Sequence, residues 1–168
     1  MIIGLSGKQG TGKSTLAKAI QDTYTNVKIF KIAGTIYELQ DYIYNRLGLT
    51  MIGEKDRPLL ITIGLWGRSK DENIWTNDTL RQALEHSRMG GISLIDDIRF
   101  PNEAKAIEDN LGVLIRIEGV QRGPNITEEM KSNESETALD NFNFKNIIDN
   151  KQDIETVRQN LLDILGGQ

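Results

Sequence analysis

The segment of residues 7–14 constrains the fold of this chain more than any other. It reads Gly-Lys-Gln-Gly-Thr-Gly-Lys-Ser, which matches the Gly-x-x-x-x-Gly-Lys-Ser pattern of phosphate-binding loops. The apolar residues 1–5 precede it, and residues 15–23 follow it with apolar side chains at helical spacing. A buried strand, a glycine loop and a helix in this order are the context in which the pattern binds phosphate, so we predict a phosphate site here.

Each residue type in this loop has a chemical task. Its glycines let the backbone curl until several N–H groups point into one concavity. The Lys13 ammonium is expected to contact the β- and γ-phosphates of ATP, and the Ser14 hydroxyl is expected to bind Mg²⁺. The predicted ATP contacts in the loop are Gly7, Lys8, Gln9, Gly10, Thr11, Gly12, Lys13, Ser14 and Thr15.

Strand and helix patterns alternate along the rest of the chain. Further strands are predicted at residues 27–32, 92–95, 113–117 and 144–148, and helices at 36–47, 73–87, 101–110 and 153–165. Residues 58–63 fit a helix or a strand. The alternation predicts an α/β, three-layer P-loop NTPase fold, with a parallel sheet of about five strands and helices on both faces.

The length of 168 residues suits one domain. Within it we expect residues 35–90 to bind the phosphoryl acceptor. Residues 121–141 are polar and weakly periodic, which is typical of a mobile flap, and we expect a lid over residues 118–142.

The composition excludes several kinds of chemistry. The chain has no cysteine and one histidine, which excludes disulfides, thiolate metal sites and multi-histidine metal sites. A net charge of −4 argues against a nucleic-acid polymer as the main partner. No apolar run approaches the roughly 18 residues of a membrane span, and the start has no basic leader, so we expect a cytoplasmic protein.

Two carboxylates follow the predicted strand at residues 92–95. Asp96 and Asp97 stand where proteins with this loop keep the acid of the Mg²⁺ shell. The spacing does not separate them, so both are candidate metal ligands beside Ser14.

Two short strings allow a different interpretation. Asn150-Lys-Gln-Asp153 has the form of the guanine-reading string of GTPases, and Asp109-Asn-Leu-Gly112 has the form of their switch. However, Asp109 ends a predicted helix, and only one helix pattern follows Asp153. A GTPase is therefore a minor alternative. A non-enzymatic, ATP-gated interaction module is another. Asn150 is still expected to lie near the nucleotide.

A phosphoryl acceptor that is itself an anion would need cations around it. Arginines between the loop and the flap supply candidates: Arg57, Arg68, Arg81, Arg88, Arg99, Arg116 and Arg122. Arg99 follows the aspartate pair closely and is the best placed. Arg57 and Arg68 flank an apolar stretch in the expected acceptor region.

Longer strings carry a resemblance to a known family. Asp97-Ile-Arg-Phe-Pro-Asn-Glu103 resembles the Asp-Val-Arg-Phe-Pro-Asn-Glu signature of phage deoxynucleoside monophosphate kinases. A second similarity to that family covers three strings: Arg57-Pro-Leu-Leu, then Gly64-Leu-Trp-Gly-Arg68, then Asn73-Ile-Trp75. Ser135-Glu136-Thr-Ala-Leu139-Asp is also similar to that family. The chain departs from the family at Asn133, where a histidine is common, and at Leu65, where threonine is common.

The resemblance implies an enzyme that transfers the γ-phosphoryl group of ATP, with Mg²⁺, to a deoxynucleoside monophosphate. A kinase like dephospho-CoA kinase is the alternative with the same loop. From the resemblance we also expect a homodimer. If the chain is encoded by a phage, we expect it in the cytoplasm of the host. The expected catalytic residues are Lys13, Arg68, Asp97 and Arg99. The expected acceptor-binding residues are Tyr37, Arg57, Arg68, Trp75 and Arg99, and the expected lid residues are Arg116, Arg122, Ser135 and Glu136.

Overall fold

Five parallel strands form the centre of the molecule in the computed structural model, which describes residues 1–53, 55–121 and 134–166. The strands are β1 (Ile2–Ser6), β2 (Val27–Phe30), β3 (Ile92–Ile98), β4 (Val113–Glu118) and β5 (Asn146–Asp149). The helices are α1 (Lys13–Thr23), α2 (Gly34–Leu47), α3 (Arg57–Lys70), α4 (Ile74–Arg88), α5 (Pro101–Asp109), α6 (Glu134–Thr137) and α7 (Ile154–Gly166).

The strand order is β2-β3-β1-β4-β5, and every neighbouring pair is parallel. Strand β1 lies in the middle, where Ile3 is opposite Leu94 of β3 and Val113 of β4. The chain leaves β1 toward β2 but leaves β3 in the opposite direction, toward β4. Ligands of open α/β sheets bind at the carboxyl ends of the strands where this direction reverses, which here is between β1 and β3.

An apolar cluster covers each face of the sheet. Ile2 of β1 belongs to the cluster beneath α2, α3, α4 and α5, whereas Ile3 and Leu5 belong to the cluster beneath α1 and α7. Alternate side chains of one strand thus enter opposite layers, as strand geometry requires. The three-layer fold class predicted from the sequence is confirmed.

The structure resolves the ambiguous residues 58–63 into helix α3. Asp56 precedes this helix and accepts the backbone N–H of Leu59 at 3.1 Å, and Pro58 stands in its first turn, where it needs no hydrogen-bond donor. Strand β3 is longer than predicted, so Asp96 and Asp97 belong to the strand. Of the expected lid, residues 122–133 lie outside the described residues.

None of the described helices combines the length and the apolar composition needed to cross a membrane.

Candidate active site

The glycine loop between β1 and α1 has a backbone that other residues could not adopt. Gly7, Gly10 and Gly12 all have positive φ angles, 148°, 77° and 94°. At Gly7 a Cβ atom would lie 2.6 Å from the Ile117 carbonyl oxygen, so the loop passes directly against β4. The predicted conformational role of the glycines is therefore visible in the fold.

The Lys13 ammonium lies inside the loop. Its Nζ donates to the carbonyl oxygens of Gly7 at 2.6 Å and Lys8 at 3.0 Å. Burial, and to a smaller extent the nearby Arg99 guanidinium, lower the pKa of Lys13 to about 8, although the carboxylates of Glu136 and Asp96 oppose this shift. The lysine is thus held at the loop by carbonyl contacts that an incoming anion can replace.

A cavity of about 470 Å³, called here the loop cavity, lies over the loop and the ends of β2 and β3. It is lined by Gln9, Gly10, Gly12, Lys13, Ser14, Thr15, Lys31, Asp96, Asp97 and Arg99. The structure thus brings most of the predicted ATP-contacting residues together with both candidate metal aspartates and Arg99.

Asp96 and Asp97 have different surroundings. Asp96 Oδ1 is buried and has no hydrogen-bond partner among the described residues, and its other oxygen lies 3.9 Å from Lys31 Nζ. Asp97 instead accepts the backbone N–H groups of Ile32 at 2.8 Å and Ala33 at 3.1 Å. Burial raises the pKa of Asp97 against the effect of these two N–H groups. Asp97 fixes the turn after β2, whereas Asp96 keeps an oxygen available.

The Asp-Ile-Arg-Phe-Pro-Asn-Glu string folds as a strand end followed by a helix start. Pro101 begins α5, and Glu103 accepts the backbone N–H groups of Arg99 at 2.7 Å and Phe100 at 3.0 Å. Burial raises the pKa of Glu103 to about 7, although both N–H groups favour its charged form. The helix start therefore sets the position from which the Arg99 side chain extends.

A second cavity, of about 500 Å³ and called here the side cavity, adjoins the loop cavity and shares Lys31, Asp97 and Arg99 with it. Its lining residues are Lys31, Ile32, Ala33, Ile36, Tyr37, Lys55, Arg68, Asp97, Arg99, Phe100, Glu103 and Ser135. Four of these carry positive charge and two are carboxylic acids. Both acids accept backbone N–H groups, so the cavity offers cations chiefly to whatever enters it.

The predicted acceptor residues separate into two groups. Arg68, Arg99 and Tyr37 line the side cavity. Arg57 lines a different surface cavity, with Tyr44 and Pro58. The Arg68 guanidinium stands 5.7 Å from the centre of the Phe100 ring, a cation–π distance that holds it at the wall.

Trp75 is a packing residue between α3 and α4. It is 5% exposed, and its indole Nε1 donates to the Gly64 carbonyl oxygen at 3.1 Å. A Cβ atom on Gly67 would lie 2.2 Å from the indole ring, so the glycine makes room for it. The Gly-Leu-Trp-Gly-Arg segment thus packs against the tryptophan, which also borders a cavity of about 260 Å³ with Arg68 and Phe100.

Asn150 connects the loop to the end of β4. Its Nδ2 donates to the carbonyl oxygens of Thr11 at 2.9 Å and Val120 at 2.8 Å, and its Oδ1 accepts the Val120 N–H. Asp153 accepts the N–H and the hydroxyl of Thr156 at the start of α7, which lower its pKa. Asn150 and Asp153, the first and last residues of the guanine-like string, therefore each have a structural task. Asp109 is the last residue of α5.

The four predicted lid residues fall in different places. Arg116 lies in β4, 6% exposed, and donates to Ser6 Oγ and to Asp140 Oδ1, each at 3.2 Å. This corrects the expectation that it belongs to a lid, because a side chain fixed inside the sheet cannot close over a ligand. Ser135 lines the side cavity, Glu136 forms an ion pair with Arg99, and Arg122, like Asn133, lies outside the described residues.

Sequence reasoning missed Lys31, Lys55 and Asp140. Lys31 directly follows β2, and that position at the carboxyl edge of a parallel sheet was an available signal. Lys55 lies in a connection between helices, where the spacing of residues gives no sign of what it faces. Asp140, which pairs with Lys8 at 2.8 Å and with Arg116, comes together with them only through folding.

The sheet order, the glycine loop and the two layers of helices define a three-layer P-loop fold. No family model matches the chain. Solved structures with this fold include TT1252 from Thermus thermophilus, with a TM-score of 0.60 at 19% identity over 99% of this chain and 97% of that one. Shikimate kinase from Aquifex aeolicus has a TM-score of 0.52 at 18% identity, with 99% and 97% covered. A sugar kinase from Janibacter has a TM-score of 0.52 at 13% identity, with 98% and 94% covered.

One curated protein resembles the chain in sequence. It is the uncharacterized protein ORF77 of Ictalurid herpesvirus 1 (strain Auburn), which is 31% identical over 148 residues. The match covers 83% of this chain and 59% of the viral protein, so the chain spans less than two thirds of that relative.

Proposed function

We propose that the chain is an ATP-dependent kinase that phosphorylates a phosphate monoester, and that its acceptor is a deoxynucleoside monophosphate. The observation that carries this proposal is the set of four cations, Lys31, Lys55, Arg68 and Arg99, around the side cavity next to the glycine loop. Two of the four, Lys31 and Arg99, line both cavities.

The donor side of the reaction follows from the loop. The backbone N–H groups at the start of α1 and the Lys13 ammonium are donors of the kind that bind phosphate oxygens. Lys13 would exchange its contacts with the carbonyl oxygens of Gly7 and Lys8 for contacts with ATP. The narrow groove of about 110 Å³ beside Thr15, Ile117 and Asn150 continues from the loop and would receive part of the nucleoside.

The charges of the side cavity favour an anionic acceptor. A neutral alcohol must lose a proton when it attacks phosphorus and needs a base nearby. Both oxygens of Asp97 accept backbone N–H groups, so neither is free to take that proton. A phosphate monoester is already a nucleophile, and what it needs is cations that offset its repulsion from ATP.

Mg²⁺ fits the residues at the end of β3. The buried Asp96 Oδ1, which has no hydrogen-bond partner in the described part of the chain, and the exposed Ser14 hydroxyl line the same cavity, and both are hard oxygen ligands. Asp96 and Ser14 would hold the ion with the ATP phosphates, and the ion would offset their negative charge. Its ligands would come from ATP and water as well, since the described residues contain no cluster of three acidic or histidine side chains.

The reaction itself is an in-line transfer. An oxygen of the acceptor phosphate attacks the γ-phosphorus of ATP, the bond to the β–γ bridging oxygen breaks, and ADP leaves. Arg99 borders both cavities and can contact donor and acceptor oxygens in turn. Arg68 and Lys55 hold the acceptor from the side farther from the loop. Residues 35–90 thereby supply the acceptor side.

The choice of a nucleotide acceptor rests on two further features. Tyr37 and Phe100 give the cationic side cavity aromatic walls, which suit a planar base. The Arg-Phe-Pro-Asn-Glu string and the Gly-Leu-Trp-Gly-Arg segment, which resemble phage deoxynucleoside monophosphate kinases, build the walls that carry Arg99 and Arg68.

A coupled assay of ADP release tests the proposal. ATP and Mg²⁺ are incubated with each of the common deoxynucleoside monophosphates, and, as controls, with acceptors that react through a hydroxyl group, such as shikimate and glycerol. We expect at least one monophosphate to stimulate ADP release and to be converted to the diphosphate. Stimulation by a hydroxyl acceptor alone would contradict the proposal. Preferential binding of GDP would favour the GTPase alternative.

A further inference from the structure

The carboxylate of Glu136 lies against the glycine loop. Glu136 belongs to the short helix α6, yet it is 8% exposed. Its Oε2 accepts the backbone N–H of Gln9 at 2.6 Å, and its Oε1 forms an ion pair with Nη1 of Arg99. One carboxylate therefore joins the loop to the arginine that borders both cavities.

Both partners of Glu136 are donors that a phosphate group would use. Gln9 is one of the loop residues that line the loop cavity, and Arg99 lines the same cavity. The charge of Glu136 also acts on Lys13, whose pKa it raises. A carboxylate bridging these groups has the sign, and part of the hydrogen-bonding pattern, of a bound phosphate.

The segment around Glu136 is fixed against the loop by a second acid. Asp140 pairs with Lys8 of the loop at 2.8 Å and with the buried Arg116 at 3.2 Å. Leu139, between the two acids, is 3% exposed and belongs to an apolar cluster. Packing and a second ion pair thus hold Glu136 where it is.

We propose that Glu136 is an internal anion that occupies part of the phosphate site before nucleotide binds, and that it positions Arg99 until phosphate displaces it. This inference rests on the proposed function, because it assumes that phosphates enter the loop cavity. A carboxylate and a polyphosphate repel each other at hydrogen-bond distance, so they do not share the Gln9 N–H and Arg99. Nucleotide binding therefore includes the loss of the Glu136 contacts, which weakens it.

The consequence is a coupling between the phosphate site and Arg99. While Glu136 holds the guanidinium, its carboxylate offsets the positive charge of Arg99 and directs the side chain at the loop. When polyphosphate displaces the carboxylate, the guanidinium becomes available to the donor and acceptor phosphates. The alternative is that Glu136 orients Arg99 throughout the reaction, and in that case its removal would leave binding unchanged or weaken it.

Binding measurements separate these arrangements without any turnover. Glu136→Gln keeps the size and an acceptor oxygen for the Gln9 N–H but removes the charge. The matched control is Glu134→Gln, the same change on an exposed residue of the same helix. Titration calorimetry with ATP and with inorganic tripolyphosphate, both with Mg²⁺, gives the dissociation constants.

We expect Glu136→Gln to bind both polyphosphates about tenfold more tightly than the wild type, which corresponds to about 1.4 kcal/mol. Glu134→Gln should bind them as the wild type does. Equal or weaker binding by Glu136→Gln would overturn the inference. If that variant does not fold, Glu136→Asp replaces it, because its shorter side chain cannot span both partners. We then expect the affinity for both polyphosphates to rise about threefold. An unchanged affinity would again overturn the inference.

The same data distinguish failure of the inference from failure of the proposed function. If the wild type binds ATP and phosphorylates a monophosphate, but Glu136→Gln has unchanged affinity, the proposed function stands and the inference about Glu136 is wrong. If the protein phosphorylates no acceptor, but Glu136→Gln binds tripolyphosphate more tightly than the wild type, the inference stands and the proposed function is wrong.

Discussion

Glu103 accepts the backbone N–H of Arg99 at 2.7 Å, so the residue that completes the first turn of α5 also fixes where the arginine leaves β3. The carboxyl group is 4% exposed, and burial raises its pKa to about 7. One buried acid is thus linked to the shape of the candidate active site and to the stability of the fold.

The first prediction concerns the pH dependence of folding. Because the pKa of Glu103 is about 7 in the folded protein and near 4.5 when unfolded, the folded state binds its proton more tightly. The contribution of the protonated Glu103 to the free energy of unfolding is therefore fully present below about pH 4.5, and it is lost as the pH rises through about 7. Glu103→Gln cannot ionise and keeps an acceptor oxygen, so at about pH 8 we expect it to be more stable than the wild type by about 1–3 kcal/mol.

Urea unfolding at several pH values measures this difference. Near pH 4.5 the two proteins should be similar, because the carboxyl group of the wild type is then protonated when folded. Glu103→Ala is the contrasting variant, since it leaves two N–H groups without their acceptor and should be less stable at every pH. A constant difference between wild type and Glu103→Gln across the range would contradict the assigned pKa.

The second prediction concerns Lys13. Its pKa of about 8 means that the free protein loses this charge at moderately alkaline pH, whereas bound phosphate would stabilise the charged form. The affinity for ATP should therefore be constant below about pH 8 and should fall by up to about tenfold per pH unit above it. Titration calorimetry with ATP over this pH range tests the prediction. The control is Lys13→Met, which should bind ATP weakly and should show no decline in affinity at alkaline pH.

The sequence predicts the parts of the site that local geometry determines. The glycine loop, the Asp pair near the end of β3 and Arg99 all lie where a strand ends, and parallel strands bring such ends to one edge. The packing of Trp75 could not be predicted from the sequence, because Gly64 and Gly67 come close to the indole only through the way α3 crosses α4. Arg116 was misleading for a similar reason, since its partners Ser6 and Asp140 are distant in sequence.

The third prediction tests the packing of Trp75. Gly67→Ala would place a Cβ atom 2.2 Å from the indole, so α3 and α4 must separate. We expect a loss of about 1–3 kcal/mol in the free energy of unfolding, together with a weaker acceptor site, because Arg68 is the next residue. Gly34→Ala is the control, since its Cβ would meet Lys31 only at 3.9 Å. Equal stability of the two variants in urea unfolding would contradict the assigned packing.

The fourth prediction separates the two cavities. Arg68 lines the side cavity and is absent from the lining of the loop cavity. Arg68→Gln should therefore raise the KM of the monophosphate about 10- to 100-fold, the value of one charged hydrogen bond, and leave the KM of ATP almost unchanged. Arg88→Gln, at the end of α4 on the surface, is the control. An equal rise in both KM values would show that the two cavities are not separate subsites.

The fifth prediction decides what the Asn-Lys-Gln-Asp string does. Asn150→Asp would remove the donors to the carbonyl oxygens of Thr11 and Val120 and would place a negative charge beside them. We expect a loss of about 2 kcal/mol or more in the free energy of unfolding, and weaker nucleotide binding because the loop is anchored there.

Asp153→Asn supplies the complementary measurement. Asp153 accepts the backbone N–H and the hydroxyl of Thr156, and it caps α7. The variant should keep the ratio of ATP to GTP affinity of the wild type, because a helix cap does not contact the base. A GTPase would use this carboxylate to bind guanine. A wild type that prefers GTP, and that loses this preference in Asp153→Asn, would therefore contradict both the structural role of the string and the proposed ATP-dependent function.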